Sequence, residues 1–328
     1  MPEVRLALLA TASLLLPLSA CPPPPASQPY YGPATYEPPQ VNAPETQQDL
    51  SQAGVSVQRS YDFAFDGGRI EFEMRRDDDR VIEIARNHYA VPLVISWHLE
   101  NLDNLSPLEP SVGVAVLPPA PTPNGTGAPV VLTTMRIMDR MASYHREMQF
   151  HARFGDPDAR PAAYTYRIPY RSGKRFSVLQ GFHGAFSHHG SNEYAVDFDC
   201  PVATHVLAAR PGVVVATNAA AQSAGTTPDF LEYKRVNWVL VLHDDGTLGE
   251  YMHLAPAGVE VQPGTPVNRG DELALSGNTG FSSTPHLHFQ VMTAGEDGVS
   301  AQSFPFKLAV SATRDEEPVQ GRAYRSWE

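Results

Sequence analysis

Residues 283–291 read STPHLHFQV, two histidines with one leucine between them. On a β-strand alternate side chains point to the same face, so His286 and His288 project together while Leu287 points the other way. Two polar residues on a solvent face fit this pattern, and so does half of a metal site. The stretches around it settle the fold class first. Upstream, NWVLVLHDDGTLGEYMHL (residues 237–254) reads as a hairpin. One strand lies around Trp238–Leu242, the turn falls at DDGT, and the return strand runs through Tyr251 and His253. Two more short strands lie between the Gly-rich turns of PGTPVNRGDELALSGNTG (263–280). The region 171–305 is therefore predicted to be β throughout, with many tight turns.

Earlier in the chain, residues 61–102 alternate apolar and polar residues in short runs separated by DGG, DDD and RNH turns. LPPAPTPNGTGAP (117–129) is a loop, and 135–155 fits either a short helix or a strand with a long turn. This pattern predicts a β-sandwich-like domain over 59–170. The acidic run Asp77–Asp79 lacks the spacing and glycine of a calcium loop and reads as a turn. His88, His98, His145 and His151 read as structural.

The chain has 328 residues, 42% of them hydrophobic, and a net charge of −12. Length and apolar content allow two domains with a packed core. The acidic balance excludes nucleic acid as a partner, because phosphate binding needs a basic surface. The 31 prolines are unevenly spread. Residues 22–58 are rich in Pro, Gln, Ser, Ala and Tyr without apolar periodicity, which predicts a linker. Before it, MPEVRLALLATASLLLPLSAC (1–21) has one arginine, an apolar run too short to span a bilayer, and a small-residue end. This is a secretory signal. LSAC (18–21) resembles a bacterial lipobox, which implies cleavage after residue 20 and acylation of Cys21. Pro22 is not the aspartate that usually retains such lipoproteins at the inner membrane. The resemblance thus implies an outer-membrane anchor facing the periplasm. The only other cysteine is Cys200, so no disulfide framework is expected, and Cys200 reads as a small buried residue.

The region 171–305 concentrates ligand-type side chains: His183, His188, His189, Asp197, Asp199, His205, His243, His253, His286 and His288. A mononuclear zinc hydrolase needs three protein ligands and an open position for water. It also needs a base and a group that stabilises the oxyanion. The helical His-Glu-x-x-His signature is absent, so a site here must be assembled from distant strands.

Three motifs in order, YAVDFDCPVATHVLAARPGVVV (194–215), YMHL (251–254) after a hairpin, and GFSSTPHLHFQV (280–291) after LSGNTG, resemble the catalytic domain of lysostaphin/LytM-type zinc metallopeptidases. These enzymes cleave peptide bonds of bacterial cell walls, and the resemblance covers roughly residues 180–292. It implies His188 and Asp197 as the first ligand pair, His288 as the third ligand, and zinc as the metal. It implies His286 as the base that activates water and His253 as the second catalytic histidine, holding the water or steadying the tetrahedral intermediate. The familiar first pair is histidine, three residues, aspartate, whereas here Glu193 stands four before Asp197. Motif shape favours His188 over His189; consecutive strand residues face opposite ways, so the two cannot easily share a metal.

The other histidines carry no role in this resemblance. His183 lines the groove, His205 is a surface residue, and His243 is solvated at the hairpin end. Asp199 either orients a ligand by a hydrogen bond or is an exposed carboxylate. SGNTGFSS (276–283) and QSAGTTPDF (222–230) would wall a substrate groove. Residues 306–328 form a C-terminal tail. The expectation is a mainly β envelope lipoprotein, with a sandwich-like domain followed by a LytM-type peptidase domain hydrolysing peptidoglycan peptides. The alternative is a non-catalytic relative that activates a cell-wall amidase partner; a candidate at every catalytic position favours the enzyme.

Overall fold

The strand Leu287–Ala294 is flanked on both sides by hydrogen-bonded neighbours and is buried along its whole length. It belongs to a nine-stranded antiparallel sheet in a computed structural model that describes residues 57–60, 69–122 and 125–328. The sheet runs in the order Pro266–Val267, Gly212–Asn218, Trp238–Leu242, Leu248–Met252, Leu287–Ala294, Val196–Phe198, Arg175–Gln180 and Ala323–Arg325, and Ala301–Phe304 also pairs with Leu287–Ala294. The predicted hairpin is present as Trp238–Leu242 and Leu248–Met252, with Trp238 opposite Met252. His253 lies one residue past its end.

Both faces of this sheet are covered. On one, Val239, Val241, Tyr251, Leu287 and Phe289 pack into a core completed by Leu273 and Ala274. Leu273 and Ala274 come from a small sheet of His205–Leu207, Glu272–Ser276 and Leu254–Val259. On the other face, Trp238, Leu240, Leu248 and Met292 join a second core with Phe72, Leu93, Trp97 and Phe154. Burial on both faces explains why Trp238–Leu242 reads WVLVL without polar alternation.

The N-terminal region has two sheets. One is ordered Val57–Ser60, Ile70–Asp77, Arg80–Asn87, Val130–Ile137 and Leu105–Pro107; the other is Val112–Leu117, Leu93–Asp103 and His145–Phe154. Phe72 of the first meets Phe150 of the second at 4.8 Å between ring centroids, as a sandwich requires. The ambiguous stretch 135–155 resolves into strands and a turn.

Three sequence boundaries shift. The first strand begins at Val57, inside the expected linker. Tyr166, Ile168 and Tyr170 pack in the core of the C-terminal region rather than closing the sandwich. The expected tail is structured: Lys307–Ser311 pairs with Thr165–Tyr166, and Ala323–Arg325 pairs with Arg175–Gln180. Short strands of this kind draw their stability from partners far away in sequence, so local pattern does not reveal them. The signal segment, Cys21 and the linker up to residue 56 lie outside the described residues. Cys200 is buried, and burial pushes its thiol up to about 11.

His243 is not solvated. It is 4% exposed, its Nδ1 lies 3.0 Å from the Pro211 carbonyl, and burial lowers its pKa to about 4. The unfolded chain takes up this proton near pH 6.5, while the folded protein resists doing so. Stability is therefore lost as pH falls from about 6.5 towards 4, by about 3 kcal/mol from this residue. Urea unfolding at pH 7 and pH 4 of the wild type and His243→Gln measures it. The variant should lose about 3 kcal/mol less on acidification, and equal losses would disprove the assignment.

Candidate metal centre

Strand register builds the site. Asp197 lies directly opposite His288 on one side, and Met252 lies opposite it on the other. Because directly opposed residues share a face, Asp197 and His288 meet: His288 Nδ1 is 3.0 Å from Asp197 Oδ1. His188 arrives from the turn before the strand, anchored by its backbone N–H to Gly184 O at 3.0 Å. Its Nδ1–H donates to Gly181 O at 2.8 Å, which leaves Nε2 as a bare lone pair 3.1 Å from Asp197 Oδ2. A lone pair facing a carboxylate is repulsive unless a proton or a cation lies between them.

The ligand atoms of His188, Asp197 and His288 all lie within 4.8 Å of one another, and all three residues are buried. Nε2 of both histidines is buried without a hydrogen-bond partner. Burial disfavours the Asp197 carboxylate, but the adjoining imidazoles of His188 and His288 outweigh it and hold its pKa well below the usual range. Burial likewise disfavours protonated His188, and Asp197 outweighs that too, raising its pKa. An anion with the His188 Nε2 lone pair at 3.1 Å and His288 Nδ1 at 3.0 Å fits a divalent cation of the zinc type.

Two further imidazoles border this point. His286 Nδ1 donates to Thr284 O at 2.8 Å, and its Nε2 is 3.8 Å from Asp197 Oδ1. His253 Nδ1 donates to Thr279 O at 2.7 Å, and its ring lies 4.4 Å from that of His286 and 5.9 Å from that of His288. Burial, reinforced by His286 and His288, lowers the His253 pKa to about 3, so its ring is neutral. His253 also has φ +61°, a left-handed backbone that costs a non-glycine residue about 1 kcal/mol or more. That turn aims the ring back across the sheet end towards His286.

The structure thus brings together all five predicted residues: His188, Asp197, His253, His286 and His288. It separates His188 from His189, which is exposed and lines the groove outside the ligand cluster. His189→Ala should retain metal content and keep kcat/KM within about threefold, as expected of an exposed position; metal analysis with peptide hydrolysis checks this. Glu193, at the familiar histidine position, instead lies 3.2 Å from His183, and His205 lies 3.1 Å from Glu272. Asp199 is exposed. The orienting hydrogen bond comes from Gln180, whose Nε2 donates to Asp197 Oδ2 at 2.8 Å and to Ser187 Oγ at 2.9 Å. The Gln180 carbonyl oxygen accepts from Phe186 and Ser187 N–H, tying the His188 turn to the aspartate. Nothing in the sequence marks this glutamine.

The two Gly-rich loops pair in parallel at Ala224–Gly225 and Gly280–Phe281. They wall a groove whose floor carries Met252, His288 and Gln290 and which reaches Ala152–Phe154 of the N-terminal region.

Fold and site together define a β-sheet domain whose His188, Asp197 and His288 could hold a metal ion. Residues 191–299 match the model of Peptidase family M23. The chain is 38% identical over 119 residues to the glycyl-glycine endopeptidase ALE-1 of Staphylococcus capitis, covering 36% of this chain and 29% of that protein. It is 31% identical over 120 residues to the peptidoglycan DD-endopeptidase ShyA of Vibrio cholerae, covering 37% and 24%. A solved structure of lysostaphin from Staphylococcus simulans aligns at 28% identity over 41% of this chain and 50% of that one, with a TM-score of 0.29. The chain therefore spans under a third of the length of these curated relatives.

Proposed function

We propose that this protein is a zinc-dependent endopeptidase that hydrolyses peptide bonds of peptidoglycan in a bacterial envelope, tethered there through a lipidated Cys21. The observation that carries the reading is the convergence of His188, Asp197 and His288 on one point, with two more imidazoles beside it. The match of residues 191–299 and the endopeptidase names of ALE-1 and ShyA support it.

Zinc held by His188, Asp197 and His288 would supply Lewis acidity and acidify a water. The remaining chemistry belongs to side chains of this chain. His286 and His253 are each tied at Nδ1 to a carbonyl, so in the neutral form each accepts at Nε2 and cannot donate there. Both therefore enter the reaction as acceptors for the attacking water: His286 takes its proton while His253 holds it. A ring that has gained the proton becomes a donor, suited to the oxyanion or the leaving amine.

The test is digestion of purified cell-wall sacculi with and without a chelator, alongside zinc stoichiometry. Loss of peptide cleavage on chelation and its return with zinc are expected. Cleavage indifferent to chelation, or none with zinc bound, would overturn the reading; the second result would favour a binding role towards an amidase.

A further inference from the structure

Beyond the catalytic histidines, the groove floor contains a buried acid with no catalytic task. Glu250 lies opposite Gln290 across the two central strands, and Gln290 is two residues beyond His288 on the same face. At about 3.3 Å per residue this places the pair roughly 7 Å along the groove from His288. Both side chains line the groove, yet each residue is only 2% exposed. Glu250 is held by two neutral donors: the Tyr233 hydroxyl on Oε1, and Gln290 Nε2 at 2.5 Å on Oε2. Gln290 Nε2 also reaches Asn192 Oδ1 at 3.4 Å. Among the described residues no cation pairs with Glu250; Arg153, at the same end of the groove, spends its Nε on Val299 O.

The second observation is Gln290 Oε1. It is buried and has no hydrogen-bond partner, because the amide nitrogen is committed to Glu250. An orphan acceptor next to a carboxylate that makes no ion pair among the described residues is costly in an interior unless a donor arrives from outside. A group with several N–H donors and a positive charge satisfies both at once.

We propose that Glu250 and Gln290 form a specificity subsite for a primary ammonium on a substrate side chain next to the scissile bond. This rests on the peptidase reading above and deepens it. Tyr233 and Asn192 brace the two acceptors. The predicted substrate is thus a wall peptide with a free side-chain amine one residue from the cleaved bond, rather than a glycine chain.

The experiment compares paired synthetic wall peptides, identical except that the side-chain amine is free or acetylated, on the wild type and Glu250→Gln. The substitution preserves volume and an acceptor for Tyr233. Wild-type kcat/KM should favour the free amine at least about 30-fold, mostly through KM, and Glu250→Gln should reduce that ratio to below about 3-fold with zinc content unchanged. An unchanged ratio, or wild-type indifference to acetylation, overturns the subsite while leaving the peptidase reading intact. No cleavage of any wall peptide by the zinc-loaded wild type instead defeats the peptidase reading. Should Glu250→Gln fold poorly, Glu250→Met makes the same comparison by removing the carboxylate at similar volume, with the ratio again expected below about 3-fold and an unchanged ratio overturning the subsite.

Discussion

Alanine at position 288 is expected to abolish stoichiometric metal binding and to lower wall-peptide hydrolysis by about 10³-fold or more. The size follows from what His288 holds. The residue is 4% exposed, its Nδ1 lies 3.0 Å from Asp197 Oδ1, and it contributes one of three candidate ligand atoms that meet within 4.8 Å. Losing it leaves two protein donors, too few for a stable mononuclear site. Lewis-acid stabilisation is worth several kcal/mol, and each 1.36 kcal/mol is a factor of ten in rate. Metal analysis and kcat/KM on the same sample, with a thermal scan to confirm folding, make the measurement. A folded His288→Ala protein with a full complement of zinc would remove the site as assigned here.

His253→Asn should separate chemistry from metal binding. Asparagine tolerates the left-handed backbone that His253 adopts at φ +61°, so the fold and the Thr279 contact can survive. Zinc content should stay near the wild-type value while kcat falls by about 10²–10⁴, the usual range for a lost proton-handling group. The opposite pattern, lost zinc with kcat per metal unchanged, would make His253 a ligand instead. The ring separations place it nearer His286 than His288, 4.4 against 5.9 Å, which agrees with the proposed role beside His286.

Strand alternation by itself puts His286 and His288 on one face, whereas His188, Asp197 and His253 are candidates only through the family resemblance. His286 and His288 do share a face, and Leu287 does point into the opposite core. The choice of His188 over His189 rested on motif shape. The fold supplies the physical reason: Gly181 and Gly184 hold the His188 turn, and the next residue is turned out into the groove. Other features left no local trace. Gln180 looks like any strand glutamine until Asp197 is set beside it, and His243 looked solvated until Pro211 and the neighbouring strand covered it.

Residue order alone determined the mainly β architecture and the hairpin at Trp238–Met252, because periodicity and turn chemistry act over a few neighbours, while the candidate ligands came from the resemblance of ordered motifs to a known family. Only the tertiary structure decided that residues 307–325 add strands, that the sheet has a core on each face, and that Glu250 lies buried beside an orphan acceptor. Those outcomes depend on pairings between segments far apart in the chain, whose energies local sequence does not contain.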